Sequence, residues 1–170
     1  MAVATIQHTL NCNQDVFWEK IFLAKEFNEK LYKEVLRFPA YGEVKRDETE
    51  AELRRTIEVT PDVGELPGPI RKVAGDNMSY VEEGVFDKKT RRYTMNVKPN
   101  ALADKLSIKG EMWTEPAGEG KIRRIFKADV TCKIFGIGGL IEKRIVSDLE
   151  KSYDKAAQFT NQYIAENSLG

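Results

Sequence analysis

The 170-residue sequence has little of the chemistry that most enzymes use, with one histidine and two cysteines. Cys12 and Cys132 are far apart and have no nearby metal-ligand partners, which favours two reduced thiols in a cytosolic protein and no metal site. No Gly-x-Ser-x-Gly, His-Glu-x-x-His, Walker or dinucleotide-binding motif occurs. We therefore expect no cofactor, and any histidine-based catalysis would depend on His8 alone.

The sequence also lacks a charge excess and a long apolar run. Lysine plus arginine and aspartate plus glutamate total 27 each, so the formal net charge is zero, which argues against a nucleic-acid partner. No run approaches the roughly 18 apolar residues of a membrane span, and the first ten residues do not resemble a signal peptide. We expect one cytoplasmic domain over residues 1–170, which is a monomer or a weak dimer and can contact membranes transiently.

The strongest pattern in the sequence is a long amphipathic helix predicted over residues 136–164. Its apolar positions recur every three or four residues and share one face. They are Ile137, Ile141, Ile145, Leu149, Tyr153, Ala156, Thr160 and Tyr163. The opposite face carries charged residues, Glu142 and Asp148 among them, and is expected to be solvated. A helix of this length needs a large partner surface, which the preceding strands would supply.

The rest of the chain has the pattern of one strand, two helices and six further strands. Residues 3–10 alternate like a strand, and two short helices, or one bent helix, are predicted over 14–23 and 25–37. After Pro39 the hydrophobic period changes to two. The further predicted strands are 40–48, 50–59, 77–87, 90–98, 103–115 and 119–134. This order predicts an α+β protein whose antiparallel sheet is covered on one face by the last helix.

Charged residues at inward-facing strand positions are the main anomaly in this pattern. Arg55, Glu82 and Arg124 share strand faces with apolar residues, where an unpaired charge is costly. Either they line a water-filled cavity and select a polar end of an apolar ligand, or bulges place them in solvent. Solvent is favoured for Arg91, which lies at a strand start. His8 falls on the inward face of its strand, where a hydrogen-bonded core histidine is favoured over a base.

This order of elements resembles the START-like superfamily, also called helix-grip or SRPBCC, which includes Bet v 1-type proteins and polyketide cyclases. The stretch KIFGIGGLIEKRI (133–145) before the long helix is similar to a bacterial branch with no assigned function. The resemblance implies a seven-stranded curved antiparallel sheet, in the order β-α-α-β6-α, around the last helix, with an apolar cavity between them. The residues it implies as ligand-binding are His8, Arg55, Ile57, Glu82, Tyr93, Met95, Ile108, Met112, Arg124, Phe126, Ile141, Ile145, Leu149 and Tyr153.

The resemblance also implies a cavity mouth formed by the loops 60–76, 98–103 and 135–139. The residues expected there are Leu66, Ile70, Val73, Leu102 and Ile137. The first function implied is non-catalytic binding or transport of a hydrophobic small molecule such as a lipid, sterol or polyketide. The alternatives are an enzyme like a polyketide cyclase or aromatase, and an interaction module like a chaperone cofactor. The highly charged outer face of the predicted sheet counts against the interaction module.

Overall fold

The computed structural model describes residues 1–170, and we number its seven strands and four helices in chain order. The strands are β1 (Ala2–Leu10), β2 (Ala40–Glu48), β3 (Glu52–Thr60), β4 (Tyr80–Asp87), β5 (Arg92–Pro99), β6 (Leu106–Pro116) and β7 (Ile122–Cys132). The helices are α1 (Gln14–Val16, continued by a π-helix at Phe17–Phe22), α2 (Lys25–Lys30, continued by a π-helix at Leu31–Val35), α3 (Gly68–Ala74) and α4 (Gly138–Glu166). No helix is both long and apolar enough to cross a membrane.

All seven strands pair antiparallel in one open sheet, in the order β1-β7-β6-β5-β4-β3-β2. Strands β2 to β7 are spatial neighbours in chain order, as direct antiparallel connections allow. The first strand pairs with the last, so β1 and β2 form the two edges. The predicted α+β helix-grip architecture is confirmed, and the predicted strand ends differ from the observed ones by three residues or fewer.

The two helices after β1 were predicted as regular helices, but each widens into a π-helix in its second half. Asn13 caps the first, because its side chain accepts a hydrogen bond from the Val16 amide at 2.9 Å. The buried Asn28 side chain then donates to the carbonyls of Phe22 and Ala24, both at 2.8 Å. The Phe22 carbonyl, at the end of the first π-helix, therefore has a partner inside the protein.

The start of α4 lies very close to the end of β7. A side chain on Gly138 would overlap with the carbonyl oxygen of Cys132, so this approach requires glycine. The Glu142 carboxylate accepts a hydrogen bond from the Cys132 amide at 2.9 Å and is buried. The prediction that Glu142 is solvated was wrong. Helical spacing cannot show that the Cys132 amide, at the end of β7, uses the Glu142 carboxylate as its hydrogen-bond acceptor.

The far end of α4 is also fixed to the protein interior. Ala156, Ala157, Thr160 and Ile164 are buried there, and the main hydrophobic cluster joins this end to β1, α1 and α2. The middle of α4, residues 144–153, is at most partly buried. The helix is therefore anchored at both ends and stands off the sheet between them.

Replacing Gly138 by alanine is expected to lower the free energy of unfolding by about 1–3 kcal/mol, because the new Cβ would push α4 away from β7. Gly139→Ala is the matched control, since nothing lies within 4 Å of its added Cβ. Alanine is the better helix former, so the control should be neutral or stabilising by up to about 1 kcal/mol. Urea unfolding of both variants measures the difference, and equal stabilities would contradict the tight contact.

Candidate functional site: the cavity under α4

A cavity of about 250 Å³ lies between α4 and the sheet. Of the 38 residues that line it, 26 are hydrophobic, so its wall suits an apolar molecule. Its volume falls just below the roughly 300–1,000 Å³ typical of small-molecule pockets. The space lies under the middle of α4, whose residues 144–153 are at most partly buried. The geometry therefore provides room for one small, mainly apolar ligand.

The cavity brings together most of the residues that the sequence analysis named. Those in its wall are Glu82, Met95, Ile108, Met112, Arg124, Phe126, Ile141, Ile145, Leu149 and Tyr153, with the expected mouth residues Leu66, Ile70 and Leu102. Tyr153 is only partly buried by surface area. This partial exposure is consistent with its place in the cavity wall.

The structure places six of the named residues outside the cavity wall: His8, Arg55, Ile57, Tyr93, Val73 and Ile137. Ile57 packs in a separate small cluster with Tyr41 and Val59. Val73 is on the exposed side of α3, and Ile137 packs where the chain enters α4. Strand parity assigns a side chain to a face of the sheet, but it does not show whether a neighbouring side chain covers it.

Sequence reasoning missed the contribution of the two short helices to the wall. Phe17, Ile21 and Phe22 of α1 and Phe27 and Leu31 of α2 all line the cavity. Their apolar clustering was visible in the sequence, but it does not show which surface of the fold the clusters face. Tyr80 was also missed, although it shares the inward parity of Glu82 on β4. Parity could have identified Tyr80.

One polar group of the interior runs from β3 to the cavity wall through Tyr93. Arg55 Nε donates to the Tyr93 hydroxyl at 3.1 Å, and that hydroxyl donates to Glu82 Oε2 at 3.0 Å. Gly84 makes room for this arrangement, because a Cβ there would overlap with the Tyr93 ring and hydroxyl. Arg55 and Tyr93 thus form a second layer behind Glu82, the member that lines the cavity.

Burial sets the electrostatics of Glu82. Desolvation raises the pKa of this carboxyl above 4.5, although the Arg55 charge and the Tyr93 hydrogen bond both act to lower it. Oε2 accepts the Tyr93 hydrogen bond, while Oε1 accepts none from the protein. Glu82 is therefore a cavity carboxyl that can exchange a proton or a hydrogen bond with a bound molecule.

A second polar group connects the cavity wall to the protein surface. Arg124 Nη2 donates to His8 Nδ1 at 2.9 Å, and His8 Nε2 contacts Asp154 Oδ1 at 2.7 Å. Arginine can only donate, so Nδ1 must be the acceptor and the imidazole proton must be on Nε2, facing Asp154. His8 therefore orients Arg124 from behind and is partly buried, between the cavity wall and the exposed Asp154.

The guanidinium of Arg124 lies against the aromatic wall of the cavity. Its central carbon is 4.9 Å from the centroid of the Tyr153 ring, which stacks on Phe126 at 4.4 Å. Burial lowers the pKa of Arg124 to about 10, against the opposing effects of Tyr153 and Asp154. The Arg124 guanidinium therefore stays charged at neutral pH although it is poorly solvated.

The segment after β3 is held across the cavity by Arg144 of α4. The guanidinium donates to the carbonyl oxygens of Val63 and Glu65, at 2.5 and 3.3 Å. It also forms an ion pair with Asp148 at 3.0 Å. Both Arg144 and Asp148 line the cavity, so Asp148 is not simply on a solvated face as its helical position had predicted. No group of three or more histidine, cysteine or acidic side chains that could hold a metal occurs.

Comparison with known protein families gives a match over nearly the whole chain. The family described as "Protein of unknown function (DUF2505)" matches residues 5–164. The chain belongs to the DUF2505 family. A search of curated proteins found no match to it.

Solved structures with the same fold include enzymes and a START protein. The Zhui aromatase/cyclase from Streptomyces sp. R1128 is similar to this DUF2505 chain at 12% identity and a TM-score of 0.64, over 96% of each chain. A START superfamily protein from Mycobacterium smegmatis has 9% identity and a TM-score of 0.62, over 95% of this chain and 98% of that one. Norcoclaurine synthase from Thalictrum flavum, with a transition-state analogue, has 14% identity and a TM-score of 0.66, over 95% of each chain. At these identities the likeness shows the fold alone, and the predicted START-like fold is confirmed.

The raised pKa of Glu82 predicts a pH dependence of stability. Above pH 4.5 the folded protein retains a proton that the unfolded chain releases, so this group makes stability fall as pH rises. The fall ends once pH exceeds the folded-state pKa. Glu82→Gln cannot ionise and is expected to remove this component, as measured by urea unfolding at several pH values on both sides of 4.5.

Glu83→Gln is the matched control for Glu82→Gln, because Glu83 is the exposed neighbour on the opposite face of β4. Its ion pair with Lys98, at 2.9 Å, lies at the surface, where such pairs contribute little. The control should keep the wild-type pH profile. A wild-type profile in Glu82→Gln would show that Glu82 is not the group responsible.

Proposed function

We propose that this protein binds or transports an apolar small molecule in the cavity under α4, without transforming it. The observation that carries the proposal is the cavity itself, whose wall is mainly hydrophobic and closed by α1, α2 and α4. Apolar surface that moves from water into such a wall gains about 25 cal/mol per Å². The norcoclaurine synthase structure, solved with a transition-state analogue, is compatible with a small-molecule site in this fold. Of the ligand classes that the fold suggests, lipids, sterols and polyketide-like molecules, the cavity volume of about 250 Å³ favours the small members.

The segment between β3 and α3 is proposed as the mouth of the cavity. Leu66 of this segment and Ile70 of α3 line the cavity, and Arg144 holds the backbone of the segment through two carbonyl groups. A ligand would pass this way when the Arg144 hydrogen bonds open.

A proton-transferring enzyme of the cyclase type is the second candidate, favoured by Glu82. A carboxyl with a raised pKa in an apolar cavity is suited to general acid–base chemistry. The variant Glu82→Gln distinguishes the two functions. Binding is retained in both cases, and turnover is lost if the protein is an enzyme.

Filling the cavity is expected to abolish binding. Ser152→Trp places an indole in the cavity wall, and we expect it to weaken binding of the neutral apolar dye Nile red by at least about tenfold. Lys151→Trp, on the exposed side of the same turn, should bind like wild type. Fluorescence titration measures the affinities, and native mass spectrometry of purified wild type tests for a copurified apolar molecule. Equal dye binding by both variants would contradict a ligand in this cavity.

Release of the Arg144 contacts is expected to speed ligand exchange. Arg144→Gln removes the charged donors that hold Val63 and Glu65, and we expect Nile red to dissociate roughly tenfold faster, given the usual strength of charged hydrogen bonds. Arg71→Gln is the control, because Arg71 pairs only with the exposed Asp76 nearby. Stopped-flow dilution gives the rates. An unchanged rate in Arg144→Gln would place the mouth elsewhere.

A further inference from the structure

We infer that the ligand carries a carboxylate and that Arg124 is the residue that binds it. This inference rests on the proposed function and specifies its ligand: an apolar molecule with one acidic end. It starts from the charged residues in the cavity wall, among which Arg124 has no carboxylate partner.

Arg124 has no carboxylate partner in the protein. The other arginine in the wall, Arg144, has an ion pair with Asp148. Of the other two wall carboxyls, Glu82 is hydrogen-bonded to Tyr93 and belongs to the Arg55 group, and Asp62 is exposed and accepts from the Gly64 amide. Arg124 contacts only neutral acceptors, so a buried cation is left without a counter-charge, an arrangement that burial penalises strongly.

The hydrogen-bonding capacity of Arg124 is also incomplete. Nη2 alone donates within the protein, to His8 and to the Tyr153 carbonyl at 3.3 Å. Nε is fully buried and has no hydrogen-bond partner, and Arg124 as a whole is only 4% exposed. A buried donor without an acceptor is destabilising. Nη1 also has no partner in the protein and, unlike Nε, is not fully buried, so a carboxylate in the cavity would satisfy this donor and supply the missing counter-charge.

The surroundings of Arg124 hold it ready for such a molecule. His8, fixed by Asp154, and the Tyr153 carbonyl set the position of Nη2. The Tyr153 ring packs against the guanidinium, and apolar residues such as Phe126 and Met112 continue the wall. An arginine that is fixed in this way and faces an apolar cavity recognises the end of an amphipathic molecule.

A carboxylate fits this position better than a phosphate. One cation balances one monoanion, whereas a phosphate dianion would need a second cation, and Arg144 is already paired with Asp148. The cavity volume of about 250 Å³ limits the apolar part to a short or medium chain. We therefore infer a monocarboxylic acid of roughly the size of decanoic acid.

The test compares decanoate, decanol and methyl decanoate as competitors of Nile red near neutral pH. Wild type should bind decanoate at least about tenfold more tightly than either neutral analogue, as one charged hydrogen-bonded contact supplies. Arg124→Met keeps the length and apolar stem of the side chain and should lose this preference while it retains Nile red. Arg123→Met, on the opposite face of β7 and paired with Glu115 at the surface, should keep the preference.

A further variant covers the case in which Arg124→Met does not fold, as judged by circular dichroism. Arg124→Lys preserves the charge, and it should retain a preference for decanoate over decanol. Equal affinity of wild type for decanoate and decanol, with normal Nile red binding, would overturn this inference and leave the proposed function standing. Failure of wild type to bind Nile red or any competitor would overturn the proposed function, and this inference with it.

Discussion

The structure depends on how closely the start of α4 approaches the end of β7. A glycine at position 138 permits the contact with the Cys132 carbonyl, and Glu142 reinforces it through the Cys132 amide. The other end of α4 is buried through Thr160 and Ile164. A rigid helix of 29 residues that is fixed at both ends cannot follow the sheet between them. The cavity is the space that remains.

The polar groups of the interior occur in two arrangements with different consequences. Around Tyr93 the charges of Arg55 and Glu82 lie near one another, joined through one hydroxyl, so the group is complete within the protein. Around Arg124 the chain from Asp154 through His8 orients a cation without neutralising it. The charges of the first arrangement therefore have their partners within the protein. The charge of the second has none, and it is the one that the carboxylate we infer would balance.

Much of the fold could be predicted from the sequence, because hydrophobic period and strand parity are local properties. Parity put Arg55, Glu82 and Arg124 on inward strand faces but left open whether bulges would turn them to solvent, and in the structure each is at most 8% exposed. It could not show which of them reaches the cavity, since the Tyr93 side chain that lies between Arg55 and Glu82 comes from another strand. The burial of Glu142 depends on the backbone of β7, and the π-helices depend on packing against the sheet. These features are set by tertiary contacts and leave no periodic signal.

The anchored ends and open middle of α4 have a consequence for how this family can diverge. Residues such as Gly138 and Thr160 hold the helix in place, whereas Ser152 and Leu149 face the cavity without supporting the anchors. Substitutions in the middle of the helix can therefore change the cavity while the fold is preserved by other positions. Related chains would then share the helix ends and differ between them, so that one architecture carries cavities of different shape and polarity.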